Sequence, residues 1–223
     1  MNEQSEQSIT VIGAGVIGLC CARTLQRRGY GVTVIDPLDP GMGTSYGNAG
    51  ILATGSVLPE GKPGLWKRVP GMLLDPLGPL TIRPSYLAKL TPWMLRFIAN
   101  TTAKRSEEIS QALASIVLPG LEHYRALLDD VASDEVPIRQ QGCLYLYPSA
   151  ANLAAARDDI ETRRQRGVAL EMLSPDEVRQ LVPAIGPDMA GGALATQSGH
   201  ATSPLALSQL LAARIVAGGG DFI

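Results

Sequence analysis

Three glycines in a six-residue window, Gly13-Ala14-Gly15-Val16-Ile17-Gly18, and a carboxylate further on at Asp36 are the first residues whose types and spacing suggest chemistry. The window matches GxGxxG, a pattern that cradles the pyrophosphate of a dinucleotide. Each position has a physical task. Gly13 permits the tight turn, Gly15 lets the backbone approach the pyrophosphate, and Gly18 lets helix and strand pack closely. Val16 and Ile17 open the helix, whose first N–H groups and partial positive charge face the phosphates. Asp36 is placed to accept hydrogen bonds from the adenosine ribose hydroxyls. Pro37 and Leu38 follow it, so no arginine is at hand for a 2′-phosphate.

With 24 glycines in 223 residues the pattern alone is weak, and its setting decides. Ser8 to Ile12 is a β-rich run that stops at Gly13. Val16 to Arg28 reads as a helix with Gly29 as its left-handed stop. Val32 to Ile35 is a second strand ending at Asp36, close to the ~20-residue spacing the motif requires. Strand, glycine turn, helix and strand predict a Rossmann-type βαβ unit with parallel strands. FAD and NAD share this fingerprint, so it does not choose between them.

The second glycine-rich stretch, Gly43-Thr44-Ser45-Tyr46-Gly47-Asn48-Ala49-Gly50-Ile51-Leu52, makes that choice. It resembles the flavin-contacting segment of the D-amino-acid dehydrogenase branch of the FAD-dependent oxidoreductases related to D-amino-acid oxidase. Leu80 to Pro84, Trp93 to Phe97, Gly142 to Tyr147 and Gly199 to Pro204 are similar to the same branch, in the family's order. The resemblance covers nearly the whole chain, but family members are close to twice as long. It implies FAD as cofactor, held by Gly13, Gly15, Val16, Ile17, Gly18 and Asp36. Thr44, Ser45, Asn48 and the backbone of Ala49, Gly50, Ile51 and Leu52 would then lie along the flavin, stabilising negative charge on its reduced ring.

The function so implied is oxidative deamination of a D-amino acid, hydride passing from the substrate α-carbon to flavin N5, with a quinone or another carrier as electron acceptor. Oxidation of sarcosine, glycine or hydroxyproline on the same fold is one alternative. An inactive fragment that is not an enzyme is another. An NAD-only dehydrogenase would leave Thr44 to Leu52 unexplained. Family members carry the arginine that commonly holds the substrate carboxylate in their second half. This chain by itself is therefore expected to bind FAD weakly and turn nothing over.

Catalytic residues are not legible. His200, expected in a turn before a helix cap, and Tyr145, on one strand face with Tyr147, are the substrate-site candidates. A structural histidine and ordinary aromatic packing are the competing readings. His123, beside Glu122 and Arg125, reads as a surface residue. No metal-ligand cluster and no Ser-His-Asp spacing is present.

Composition bounds the rest. Hydrophobic residues are 45% and charged residues 18%, ordinary for a folded domain. A formal net charge of −2 offers no basic footprint for nucleic acid. The start, with Glu3 and Glu6, is unlike a secretory signal, and the apolar run from Ile9 to Ala22 is short of the ~20 residues a spanning helix needs. The three cysteines make no disulfide framework: Cys20 and Cys21 diverge on one helix and Cys143 sits in an apolar strand. A cytoplasmic protein is expected, with peripheral attachment to the inner face of a membrane as the alternative.

The expected architecture is α/β: an FAD-binding part over residues 1–54, an inserted α+β substrate domain over 55–198, and a return to the FAD-binding part over 199–223. Residues 37–64 show no long periodic element. Helices are expected around Leu87 to Ile98, kinked or restarted at Pro92, from Lys104 to Val131 with a break at Pro119-Gly120, and from Ser149 to Arg166. Ile138 to Tyr147 reads as one strand, Gly192 to Thr196 as another. Ser174 to Glu177 is a capping box, and Ser203-Pro204 opens a last helix. Asp221 to Ile223 reads as the start of a strand, so the domain is expected to be truncated at its C-terminus.

Overall fold

Alternating β-branched residues and a glycine stop build the first strand, β1 (Ser8–Ile12), and α1 (Val16–Arg27) returns the chain to β2 (Gly31–Ile35), as expected. The computed structural model describes residues 7–75 and 80–223; Glu3 and Glu6 lie outside them. β2 pairs in parallel with β1 on one side and with β9 (Asp221–Phe222) on the other, giving the order β1-β2-β9. The helix before β9, α9 (Pro204–Ala217), packs beside α1 on one face of this sheet. Leu19, Ala22, Val32, Val34, Leu211 and Ile215 form the centre of that core. Parallel sheets are normally covered on both faces. The other face here presents Thr10, Thr33 and Ile12, the last 87% exposed.

Charge ties the helices together. Asp130 accepts from Arg23 Nη2 on α1 at 2.8 Å and from Arg214 Nη2 on α9 at 2.6 Å. Arg23 is buried, so its charge depends on that partner.

The remaining strands form two antiparallel sheets. One has the order β3-β8-β4, from β3 (Ile51–Leu52), β8 (Gly199–Ala201) and β4 (Ile138–Arg139). The other has β7 (Gly191–Ala195) between β5 (Cys143–Tyr147) and β6 (Leu170–Leu173). Small residues on β7 admit α8 (Pro175–Leu181), whose Val178 presses on Gly192. A second core of Val57, Ala114, Val168 and Ala195 lies beneath, with Tyr145 and Cys143 packed against it.

Several expectations are corrected. Ile138 to Tyr147 is two strands in two sheets, because Gly142 takes φ +82° and turns the chain. The helix expected from Ser149 to Arg166 is α6 (Ala150–Ala155) and α7 (Arg157–Gln165), offset at Ala156, whose N–H is shared between Asn152 O and Leu153 O. Pro92 does not restart the helix expected there: α3 (Leu87–Ala99) runs through it as one element. The break at Pro119-Gly120 falls where expected, between α4 (Ala103–Val117) and α5 (Gly120–Leu127). Unforeseen elements are α2 (Leu65–Leu74), β3, β6 and β8.

Candidate dinucleotide site

The glycine turn is held from both sides. Gly13, at φ +106°, donates its N–H to Ile35 O at 2.8 Å, and Ala14 N–H donates to Asp36 Oδ2 at 2.7 Å. Asp36 Oδ1 accepts from Leu38 N–H at 2.9 Å. These two backbone donors, Ala14 first, hold the Asp36 carboxyl below the usual carboxylate range. Asp36 therefore stays ionised and fixes the turn while keeping lone pairs for further donors.

Gly15 is the N-cap of α1 and has no side chain to cap with. The cap comes from 29 residues on: buried Ser45 accepts Val16 N–H on its Oγ at 2.9 Å. This bond places the second glycine segment over the first. Gly41 N–H donates to Ala14 O at 2.8 Å and adds a second tie.

The three fingerprint glycines differ in what a methyl group would meet. At Gly18 a Cβ would fall 1.9 Å from Gly13 O, so that glycine is required by packing. At Gly13 a Cβ would meet nothing within 4 Å, and at Gly15 only Ser45 Oγ at 3.4 Å. Open space before a helix N-terminus, free of Cβ atoms and lined by N–H groups, fits a pyrophosphate.

Thr44, just before Ser45, is exposed, and from Ser45 the chain passes through exposed Tyr46, Asn48 and Ala49 to β3. Asn48 Oδ1 accepts Gly50 N–H at 2.7 Å, and Gly50 takes φ +65° with its α-carbon close against Ala201 O. Ala201 N–H donates to Gly50 O at 2.8 Å, locking the segment to β8. Ile51 and Leu52 then pair with His200 and Gly199.

His200 is in β8, not in a turn; the strand forms because β3 and β4 both pair with it. Ile51, His200 and Arg139 stand directly opposite one another across three strands, so their side chains share one face. Arg139 was missed in the sequence: 61 positions separate it from His200, and register alone brings them together. Its guanidinium donates to Val136 O and Ile138 O, both at 3.0 Å. Tyr145 lies elsewhere, in the second core, with the Arg163 guanidinium 4.8 Å from its ring centroid. Burial, set against the Arg163 charge, pushes the Tyr145 phenol up. His123 is exposed, as expected. Its helix and α1 flank an open apolar groove of about 860 Å³, on the side of α1 rather than at its N-terminus. Among the described residues no cluster could hold a metal ion.

The sequence profile described as FAD dependent oxidoreductase matches residues 8–223. The chain belongs to that family. FAD is the family's cofactor, and the Gly13–Gly18 turn, Asp36 and the Ser45 cap fit a dinucleotide. The chain is 36% identical over 220 residues to a D-amino-acid oxidase of Bradyrhizobium diazoefficiens, covering 96% of this chain and 51% of that protein. It is 34% identical over 178 residues to D-amino acid dehydrogenase 2 of Ralstonia nicotianae, covering 79% of this chain and 42% of that protein. The chain thus spans about half the length of the curated relatives it matches. Glycine oxidase from Geobacillus kaustophilus superposes with a TM-score of 0.58 at 20% identity, over 96% of this chain and 45% of that one. L-amino acid deaminase from Proteus myxofaciens gives 0.60 at 15%, over 99% and 38%. At these identities the two structures carry the fold: Rossmann-type α/β with further antiparallel sheet.

Proposed function

We propose that this protein oxidatively deaminates D-amino acids. The observation that carries the reading is the Ser45–Val16 bond, which sets the second glycine segment against the dinucleotide turn and leads it directly into the β3-β8-β4 sheet. The names of the relatives above 30% identity support the D-amino acid; glycine oxidase resembles the chain at the level of fold.

Bound FAD supplies the two-electron acceptor at N5. The chain's residues bind and orient. Gly13, Gly15 and Gly18 with the Val16–Ile17 backbone receive the pyrophosphate, and Asp36 takes the ribose hydroxyls. Thr44, Ser45, Asn48 and the Ala49–Leu52 backbone line the flavin. His200 and Arg139, in register with Ile51, stand on the sheet face where a substrate carboxylate would meet a cation. The amino acid loses a hydride from its α-carbon and a proton from nitrogen, and water then releases keto acid and ammonia. Electrons leave to a quinone or another carrier. On this reading residues 1–54 and 199–223 bind the cofactor and 55–198 form the substrate domain.

The test is anaerobic bleaching of bound oxidised FAD by D-alanine, L-alanine, glycine, sarcosine and hydroxyproline. It is run on the chain alone and on the chain fused to the carboxyl-terminal portion of the Bradyrhizobium oxidase. Bleaching of the fusion by D-alanine, with none for the chain alone, is expected. Faster bleaching by glycine or sarcosine, or none by any substrate in an FAD-loaded fusion, contradicts the assignment.

A further inference from the structure

A guanidinium partly withdrawn from water is costly unless an anion meets it. Among the described residues the arginines so placed are Arg23, Arg163, Arg166, Arg179 and Arg214, and each of them except Arg163 forms an ion pair. Asp159, one turn earlier on the same face of α7, could serve Arg163, but Lys62 takes that carboxylate at 2.5 Å. The Arg163 side chain is nonetheless fixed. Its Nε donates to Gly55 O at 3.2 Å, and its guanidinium carbon lies 4.8 Å from the Tyr145 ring centroid. Burial pushes the Tyr147 phenol up and the Arg163 charge opposes it, as at Tyr145, so the cation stands close to both rings. Nη1 and Nη2 make no hydrogen bond, and neither is sealed from solvent. A guanidinium anchored through Nε and laid on a ring presents its remaining donors as the fork that matches a carboxylate.

The place of this fork identifies the anion. Gly55 is three residues past Leu52, so it lies within about 11 Å of the segment proposed to line the flavin. The Tyr145 hydroxyl closes on the same turn, 3.4 Å from where a Cβ of Gly55 would stand. Thr54 Oγ1 and Ser198 Oγ, both buried, are 3.1 Å apart and tie the turn to the residue before β8. One short segment, Ile51 to Gly55, therefore stands beside the His200–Arg139 face at its start and the Arg163 fork at its end. An amino acid held by its α-carboxylate at the first has only a side-chain carboxylate to offer the second. A strap tying α7 to the turn would need the Nε bond and the ring contact alone, and gives no reason for two free donors.

We propose that Arg163 is a specificity-determining residue whose Nη fork receives the side-chain carboxylate of an acidic D-amino acid, making D-glutamate and D-aspartate the preferred substrate class. The proposal rests on the D-amino acid reading above and narrows it.

D-glutamate and D-glutamine test this, because they differ in charge at nearly equal size. In the FAD-loaded fusion, the second-order rate constant for anaerobic bleaching should be about 10- to 150-fold higher with D-glutamate, the worth of a hydrogen bond to a charged group. Arg163→Gln should bring that ratio close to one, and Arg163→Lys should keep part of it. A ratio near one in the unchanged fusion overturns the proposal and leaves the D-amino acid reading standing. So does a ratio that survives Arg163→Gln, whatever that variant does to the two rates. Bleaching by no D-amino acid defeats the deamination reading, and the proposal with it. A second readout needs neither FAD nor turnover. In the 15N-labelled chain the Arg163 Nε–H resonance, identified by its loss in Arg163→Lys, should shift on titration with D-glutamate and stay in place with D-glutamine. No shift with D-glutamate, or equal shifts with both, overturns the proposal.

Discussion

Gly15→Ala and Gly18→Ala should separate ligand approach from packing within one motif. At Gly18 the new Cβ falls 1.9 Å from Gly13 O, a backbone atom that must move. Overpacking of this kind costs about 3 kcal/mol, and in a chain of this size each kcal/mol lowers Tm by roughly 2–4 °C. Gly18→Ala should therefore lose roughly 6–12 °C and bind FAD poorly. At Gly15 the backbone is φ −73°, ψ 170°, which alanine adopts freely, and its Cβ meets only Ser45 Oγ at 3.4 Å. Stability should change by no more than about 1 kcal/mol, in either direction. Its methyl instead stands in the space assigned to the pyrophosphate. Loss of one hydrogen bond to a charged group costs about 1.5–3 kcal/mol, so Kd for FAD should rise about 10- to 150-fold. The assays are thermal unfolding by circular dichroism and quenching of FAD fluorescence on titration. Unchanged FAD affinity in Gly15→Ala, or unfolding of Gly15→Ala as severe as that of Gly18→Ala, would refute the reasoning.

Other outcomes follow from the same geometry. Asp130→Asn should cost about 1–3 kcal/mol, the loss of a buried arginine's partner discounted because Asp130 is a third exposed; thermal melts check this. Burial pushes the Asp130 carboxyl up, but the Arg214 hydrogen bond and the Arg23 and Arg214 charges outweigh it and hold the carboxyl below its ordinary range. Its stabilisation is therefore full above the unfolded carboxylate pKa of about 3.9 and lost as pH falls through the lower folded value. Asp130→Asn should accordingly flatten the acid limb of the stability–pH curve measured by urea unfolding. Ser174→Ala removes the capping box of α8 and should cost about 1 kcal/mol, read as a lower urea midpoint. Cys20 is pushed up to about 11 by burial, against a Tyr124 hydrogen bond that lowers it. Native alkylation at neutral pH should therefore modify exposed Cys21 and spare Cys20, as peptide mass spectrometry would show.

The βαβ start was legible because every level agrees there: β-branched runs, glycine punctuation and an acid at the right distance all specify one unit. The capping box at Ser174 and the last helix were legible for the same reason. Elements fixed by distant partners were not. β8 is three residues long and exists because β3 and β4 flank it; its sequence, Gly199-His200-Ala201, has little strand propensity of its own. Gly142 looked like an ordinary residue between two apolar runs, and only its turn sends β4 and β5 into different sheets. Pro92 suggested a kink or a restart, yet it lies inside one helix, and Pro70 lies inside another. For the candidate site, residue types and spacing pointed to Gly13 to Gly18 and Asp36, and the family resemblance pointed to Thr44 to Leu52. The Ser45 cap on Val16 and the placing of Arg139 beside His200 depend on contacts between segments far apart in sequence.

The most direct measurement of the central claim is a structure of the protein with FAD bound. The account predicts the pyrophosphate at the N-terminus of α1, within hydrogen-bond reach of the Gly15–Ile17 backbone, the ribose on Asp36 and the flavin ring along Asn48 to Leu52. FAD seated anywhere else, the apolar groove between α1 and α5 included, would contradict it.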